Sequence, residues 1–182
     1  MKKYLALILA VVSLIIFNLL ILKNEHHLKN HPSIFIELQP VDPRSLIQGD
    51  YMVLNYNLKL DESLSRRLPI SSYHQSSLLS YIVLDQNRVV TKTLFSLQQP
   101  AVTAQKLRLK NPDNSPDSLY PAANSFLFAE GLADCYNNAR YAEFKVDIDG
   151  NALLASLRGK NLQPLNCEQQ AKWQQANPST NR

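Results

Sequence analysis

The sequence predicts a mainly β (α+β) domain, an antiparallel sheet or partly closed barrel with one short helix, preceded by a single N-terminal transmembrane helix. Three observations lead to this fold class. An uncharged apolar run opens the chain, period-two hydrophobic alternation recurs through the rest of it, and turn-forming stretches separate the alternating segments. Because strands joined by short hairpins pair antiparallel, we expect no crossover helices.

The apolar run extends from Tyr4 to Leu22 and contains no charged residue. A helix of about 20 apolar residues spans the roughly 30 Å hydrocarbon core of a bilayer and satisfies its own backbone hydrogen bonds there. A cleaved secretory signal is the alternative, but its apolar part is about 7–15 residues long and ends at a small-residue cleavage site. We therefore expect an uncleaved anchor over residues 1–22 and a polar juxtamembrane linker over residues 23–33.

Two lysines, Lys2 and Lys3, precede the apolar run, and basic residues on a short flank favour the cytoplasmic side. We expect a single-pass protein of the bacterial inner membrane, with its N-terminus inside and its C-terminal domain in the periplasm. The formal net charge is +4, and half of it belongs to these two lysines. The other basic residues form no stripe that could follow a phosphate backbone, so nucleic-acid binding is not expected.

The domain itself is expected over residues 34–165, before a polar C-terminal tail over residues 166–182. Alternate apolar residues from Met52 to Leu60 predict one continuous strand, the strongest strand signal in the chain. Five further strands, one hairpin and one two-turn helix are predicted from composition and periodicity: strands over 33–39, 81–84, 89–95, 106–110 and 125–129, the hairpin over 144–157, and the helix over 132–139.

Two stretches between the strands carry turn or loop signals. Asp149 and Gly150 predict a hairpin turn in which both residues adopt positive φ. Residues 61–79 mix Ser, Arg, Pro and Gln, so we expect them to be irregular, and the Pro-rich residues 111–121 predict a surface loop.

The chain contains two cysteines, Cys135 and Cys167. In an oxidising compartment they can close a loop of about thirty residues, which would stabilise the domain by roughly 3–4 kcal/mol. Two buried free thiols are the alternative, because sequence spacing does not show whether the two Cα atoms approach within about 7 Å. Two cysteines alone do not make a structural zinc site.

Three histidines, His26, His27 and His31, cluster in the predicted linker. Such spacing can bring imidazoles together, so a metal sensor is one hypothesis for this segment. With only Glu25 nearby as a further ligand, the set is incomplete. We therefore predict no metal site and no cofactor.

The most specific motif is Gly-Asp-Tyr-Met-Val-Leu-Asn-Tyr. Its first residue permits a backbone turn into the strand, and the aspartate can accept hydrogen bonds across that turn. The segment resembles the signature of the GDYXXLXY proteins, an uncharacterised bacterial family. The fixed letters of that signature fall on Gly49, Asp50, Tyr51, Leu54 and Tyr56.

The resemblance continues on both sides of the motif and covers roughly residues 34–160. Matching segments are Val-Asp-Pro-Arg-Ser-Leu at 41–46, Phe-Ala-Glu-Gly at 128–131 and Ala-Arg-Tyr-Ala-Glu-Phe at 139–144. It implies an N-terminal anchor and one extracytoplasmic domain, with no established activity.

Two interpretations of the motif stay open. In one, its residues serve only the turn and the core. In the other, polar residues from the motif and its flanks converge on a binding patch, and the candidates are Arg44, Asp50, Tyr51, Glu130, Arg140, Tyr141 and Glu143. Charges buried in such a patch would need partners, for example Arg44 or Arg140 with Asp50 or Glu130.

A peptidase is the sharpest alternative, because the motif and its approach also resemble the region after the nucleophile in type I signal peptidases. Those enzymes place a Ser-x-x-Pro element about eight residues before the Gly-Asp pair, and here Val41 occupies the serine position. Lys92 and Lys106 alternate with apolar residues, which puts both candidate bases on a solvated face. At most we expect a degenerate relative of that architecture.

We therefore expect a membrane-anchored, extracytoplasmic, non-catalytic domain that binds another membrane or envelope protein. A membrane-anchored hydrolase that uses Asp50 with Glu130 or Tyr51 is the alternative. No catalytic residue and no small-molecule ligand is assigned from the sequence.

Overall fold

The fold is taken from a computed structural model, which describes residues 2–39, 51–60, 76–95, 104–113, 115 and 118–169. These residues form two helices and eight strands. In chain order their bounds are α1 Lys2–Asn30, β1 Ser33–Glu37, β2 Tyr51–Val53, β3 Ser77–Leu84, β4 Val90–Leu94, β5 Gln105–Lys110, β6 Ser125–Leu127, α2 Ala133–Tyr136, β7 Tyr141–Val146 and β8 Ala152–Arg158.

Helix α1 contains the apolar run and is long and apolar enough to cross a membrane once. Its apolar side chains from Ile8 to Leu22 are 46–63% exposed, so none of them is covered by the domain. A soluble surface rarely carries so large an apolar area, whereas a lipid environment favours it.

The helix does not end where the apolar run ends. It continues through the polar residues 23–30, and the segment predicted as a linker is therefore mostly helical. An ion pair between Glu25 and Lys29, 3.1 Å apart on adjacent turns, fits this continuation. Pro32 follows the last helical residue after one further position, which is consistent with its inability to extend a helix.

The eight strands form three small antiparallel sheets. Their strand orders are β1-β7-β8, β2-β6 and β4-β3-β5. The mainly β, antiparallel prediction is confirmed, and within the described residues the sheets do not close into a barrel. A single parallel bridge from Phe35 to Val89 connects the first sheet to the edge of the third, and a second one connects Leu60 to Thr93 of β4.

One hydrophobic core lies between all three sheets. In β1, Ile34 and Ile36 are fully buried, and in β7 Phe144 is fully buried as well. The third sheet contributes Ile82, Leu107 and Leu109. Burial alternates along β1 and β5, as expected for half-buried strands, whereas in β7 three successive residues, 142–144, are buried.

Two predicted element bounds are wrong. Strand β3 begins at Ser77, inside the stretch expected to be irregular, because Ser77 and Leu78 pair with Lys110 and Leu109 of β5. Helix α2 makes a single turn rather than two. The side chain of Asn138 donates to the carbonyl oxygens of Asp134 and Cys135, which replaces the hydrogen bonds of a second turn.

The β7–β8 hairpin turn also differs from the prediction. Only Gly150 has positive φ, at +85°, and Asp149 does not. The amide of Gly150 donates to the carbonyl of Asp147 at 3.1 Å, so the turn spans four residues, Asp147 to Gly150. The turn is longer than the predicted two-residue turn because the side chain of Asp147 accepts hydrogen bonds from the amides of Asp149 and Asn151.

Candidate functional site

The signature segment, residues 51–60, contacts each of the three sheets in turn. Its first part forms β2, which pairs with β6 through Tyr51 with Leu127 and Met52 with Phe126. Tyr56 then bridges to Leu38 at the end of β1, and Leu60 bridges to Thr93 of β4. The prediction of one continuous strand is therefore wrong, because the segment changes its hydrogen-bonding partner twice along its length.

The burial pattern of this segment is nevertheless the one that the alternation predicts. Leu54, Tyr56 and Leu58 are buried, while Asn55 and Lys59 are exposed. Lys59 has a φ of +50°, which bends the backbone before it reaches β4. The apolar face thus stays in the core while the chain passes from one sheet to the next.

Tyr56 is buried in the core, where its hydroxyl and its ring both make contacts. Its hydroxyl donates to the carbonyl oxygen of Ala123 at 2.6 Å, and its ring lies 5.7 Å from that of Phe144. Burial raises the pKa of the Tyr56 phenol far above its ordinary value, so the hydroxyl stays protonated and acts as a donor. This geometry suits a structural role and not that of a general base.

An open groove of about 640 Å³ runs along the other side of the segment. Its lining is rich in amide and hydroxyl groups, and one wall is the signature segment itself. The residues that line it are Gln39, 53–60, Pro112, Asp113, Ser118, Leu119, Tyr120 and Asn124. We refer to it as the signature groove.

The charged groups of the signature groove are partly engaged. Lys59 pairs with Glu37 at 2.7 Å, and Asn57 donates to the same carboxylate at 3.0 Å. Both members of the ion pair are about two-fifths exposed, so the pair adds little stability. Asp113, on the opposite wall, is exposed. The groove therefore offers amides, a carboxylate and an aromatic ring to a ligand.

Glu143 is a buried charge among the described residues, and its partners are residues that the sequence analysis did not single out. It accepts hydrogen bonds from Ser33 at 2.6 Å, from Ser156 at 2.7 Å and from Nη2 of Arg158 at 2.6 Å. Burial tends to raise the pKa of Glu143, but these hydrogen bonds and the charge of Arg158 outweigh it and lower the pKa. Ser156 lies opposite Glu143, whereas Ser33 and Arg158 lie diagonally from it, opposite Lys145 and Tyr141, and only the strand register reveals these positions.

Of the other described patch candidates, Tyr141 lies next to this cluster, since it is half-buried in β7 and pairs with Arg158. Glu130 is exposed in a turn beside Gly131, and the side chain of Arg140 is exposed with one weak contact, 3.4 Å, to the carbonyl of Ala139. Within the described part of the chain neither forms an ion pair. Tyr51 is half-buried in β2. Glu130, Arg140 and Tyr51 thus do not join Glu143 in one patch.

Cys135 and Cys167 form a disulfide, with their Cα atoms 5.7 Å apart. The bond fastens α2 to residues 164–169, so the start of the predicted C-terminal tail is fixed to the domain. The ring of Tyr136 packs between Phe126 and Phe128, at 5.1 and 5.0 Å. A cavity of about 350 Å³ lies beside this cluster, against β8.

The three histidines do not share a ligand geometry. The Nε2 atom of His27 lies 2.9 Å from the carbonyl oxygen of Lys145, whereas His26 contacts Asn30 on the exposed side of the helix. The rings of His27 and His31 are 4.5 Å apart. Among the described residues, no group of three His, Cys, Asp or Glu side chains could hold a metal ion.

A family model described as GDYXXLXY protein matches residues 13–157. The chain belongs to the GDYXXLXY protein family. This confirms the resemblance drawn from the signature, and the match extends further toward the N-terminus than that resemblance did. No curated protein and no solved structure matches the chain.

The structure describes three of the five fixed positions of the GDYXXLXY signature. Gly49 and Asp50 lie outside the described residues, as does Arg44 of the approach. The last three fixed positions, Tyr51, Leu54 and Tyr56, lie in β2 and the extended segment after it. Leu54 and Tyr56 are buried, and Tyr51 pairs with Leu127 of β6. The fixed signature residues that the structure describes therefore support the wall of the groove.

Proposed function

We propose that this GDYXXLXY protein is a single-pass inner-membrane protein whose periplasmic domain binds another membrane or envelope protein in the signature groove, without catalysis. One observation carries the proposal: the segment that defines the family forms a wall of an open groove and leaves the exposed amide of Asn55 there, while Tyr56 and the leucines serve the core.

The membrane side of the proposal is supported by the exposed apolar surface of α1 and by Lys2 and Lys3 on its short flank. Basic residues on a short flank are retained in the cytoplasm. The disulfide between Cys135 and Cys167 supports a domain in an oxidising compartment such as the periplasm.

A protein partner is favoured over a small molecule by the shape and chemistry of the groove. Small-molecule sites are mostly enclosed and apolar. The signature groove is open to solvent, and the exposed side chains of Asn55 and Asn124 line it with groups that can both donate and accept. Such side chains match the backbone and polar side chains of an extended segment of another protein.

Site-specific photo-crosslinking in intact cells tests the proposal. A photoreactive phenylalanine derivative replaces Asn55 or Asp113 in the groove, and Asn161, an exposed residue outside it, is the matched control. We expect Asn55 and Asp113 to give the same adduct with one envelope protein and Asn161 to give none. Equal adducts at all three positions, or none at either groove position, would contradict groove binding.

The hydrolase alternative requires a separate assay. The purified full-length chain in detergent is offered peptide, ester and glycan substrates, alongside its Asp50→Asn and Glu130→Gln variants. We expect no turnover by any of them. Turnover by the parent chain that both variants lose would replace the binding proposal with hydrolysis.

A further inference from the structure

The turn between β7 and β8 lies beside α1, near the point where the helix meets the domain. Nε2 of His27 contacts the carbonyl oxygen of Lys145 at 2.9 Å, and the amide of Val146 donates to the carbonyl of Pro32 at 3.3 Å. An electrostatic interaction also connects His27 to Asp147, the first residue of the turn. The hairpin therefore runs back along the end of the helix.

Helix geometry sets the height of this contact above the membrane. From Leu22, the last residue of the apolar run, to His27 the helix rises roughly 8 Å. The headgroup layer on one side of a bilayer is roughly 5–8 Å thick. Since α1 is continuous from Lys2 to Asn30, the contact between His27 and Lys145 lies near the outer limit of the headgroups, and a turn that extends toward the membrane from this contact enters the headgroup layer.

The direction of the strands points the turn toward the membrane. Ser33, at the start of β1, pairs with Lys145, near the end of β7. Because the two strands are antiparallel, β7 continues past the start of β1, on the side from which α1 enters the domain. The turn extends in that direction.

Ile148 stands at the tip of this turn and is 86% exposed. The turn is held in place: Asp147 binds two amides and the side chain of Asn151, and the amide of Arg108 donates to the carbonyl of Gly150 at 2.8 Å. Single exposed apolar residues are common on protein surfaces. The position of Ile148 beside the anchor, and not its exposure alone, suggests a partner.

Two cations of β5 flank the same turn. Nε of Arg108 donates to the carbonyl of Asp149 at 3.2 Å. Lys106 lies next to Gly150, since a Cβ atom at that glycine would be 3.1 Å from the Cβ of Lys106. Both side chains are exposed. Long basic side chains can reach lipid phosphates while an apolar neighbour enters the boundary with the acyl chains.

We propose that the Asp147–Gly150 turn docks on the bilayer that holds α1, with Ile148 at the boundary between headgroups and acyl chains and with Lys106 and Arg108 at the phosphates. The occupant of this surface is thus the lipid itself. This proposal is separate from partner binding in the signature groove, because the residues that line the groove include neither the turn nor Lys106 and Arg108.

The full-length chain is tested in vesicles of phosphatidylethanolamine and phosphatidylglycerol. An environment-sensitive fluorophore is attached to Ile148→Cys or, as control, to Lys160→Cys. Lys160 is exposed beyond the opposite end of the β7–β8 ladder, roughly 17 Å away along the strands. The domain meets its own bilayer in either orientation of the reconstituted chain, so mixed orientation does not affect the result.

We expect a blue-shifted emission at position 148 and a several-fold stronger quenching by lipids that carry a shallow nitroxide than at position 160. Adding Lys106→Gln to the labelled Ile148→Cys chain should reduce that quenching. Equal quenching at 148 and 160 would overturn the proposal, whether both are strong or both are weak. Since Ile148 makes no core contact, its replacement leaves the fold intact, and photo-crosslinking at Asn55 reports separately on the groove.

Discussion

The hydroxyl of Tyr56 donates a hydrogen bond to the carbonyl oxygen of Ala123, at 2.6 Å. This bond connects the last fixed letter of the family signature to the loop before β6. The adjacent backbone bond, from the amide of Leu54 to the carbonyl of Asn124, reinforces the same junction. The position of the groove wall therefore depends on a buried tyrosine that is not itself available to a ligand.

Replacing Tyr56 by Phe removes this bond and leaves a carbonyl without its partner. We expect the free energy of unfolding to fall by about 1–2 kcal/mol. Urea-induced unfolding of the detergent-solubilised chain measures the change. Tyr51→Phe is the matched control, because the Tyr51 hydroxyl makes no hydrogen bond with any described residue. A loss of equal size in both variants would contradict the assigned role of Tyr56.

The buried carboxylate of Glu143 should make the domain sensitive to acid. The pKa of Glu143 is lowered from its ordinary value of 4.5 in the folded state, because the bonds from Ser33, Ser156 and Arg158 outweigh the effect of burial. The ionised form then stabilises the fold fully above the ordinary pKa. This stabilisation is lost as the pH falls through the lowered value.

We expect Glu143→Gln to lower the free energy of unfolding by about 2–4 kcal/mol at neutral pH and to reduce its decline between neutral and acidic pH. Part of the decline should remain, since hydrogen bonds from Asn151 and Asp149 outweigh burial and lower the pKa of Asp147 as well. Urea unfolding across this pH range measures both effects. Glu130→Gln, at an exposed site, should leave the pH profile unchanged.

Opening the disulfide should destabilise the domain by about 3–4 kcal/mol, because the cross-link closes a loop over a sequence separation of 32 residues. The comparison is urea unfolding of the oxidised chain and of the Cys135→Ser, Cys167→Ser double variant. In cells, an alkylating reagent that adds mass to free thiols should label the chain only after reduction. Labelling without reduction would place the cysteines in a reducing compartment.

Two glycines with nearly equal φ separate steric from conformational effects. Gly150, at +85°, packs against β5, where an added Cβ would lie 3.0 Å from the amide nitrogen of Leu107. Gly131, at +81°, has no atom within 4 Å of such a Cβ. We expect Gly131→Ala to lower the unfolding free energy by about 1 kcal/mol and Gly150→Ala by about 2–3 kcal/mol. Equal losses would show that β5 gives way without strain.

The sequence predicted most of the core but few of its connections. Alternation identified the buried face of β5, because a half-buried strand of any register shows that period. In β7 it identified Phe144 and Val146, but it also placed Ile148 on that face, and Ile148 is exposed. Over residues 51–60 the alternation predicted burial correctly but not strand pairing, because the pairing partner changes along this segment. The end of α1 was set by polar residues that still favour a helix, and an apolar count cannot detect them.

The candidate site was harder to predict from the sequence than the core, because it also depends on contacts between distant segments. The hydrogen-bonding partners of Glu143 come from two other strands, β1 and β8, and the register that brings Ser33, Ser156 and Arg158 near it is a tertiary property. The far wall of the signature groove comes from a loop whose Pro, Asp and Ser content predicts only exposure. Its approach to residues 53–60 depends on the bridge between Lys110 and Tyr120.

Residues 51–60 hydrogen-bond to β6, to the end of β1 and to β4, so no sheet can detach without disturbing the other two. Equilibrium unfolding should therefore be cooperative, with amides of all three sheets exchanging their hydrogens through the same global opening. These contacts also join residues far apart in the chain, which slows folding. The domain consequently completes its core only when the chain up to β8 has been synthesised, and its maturation is governed by the emergence of its C-terminal third.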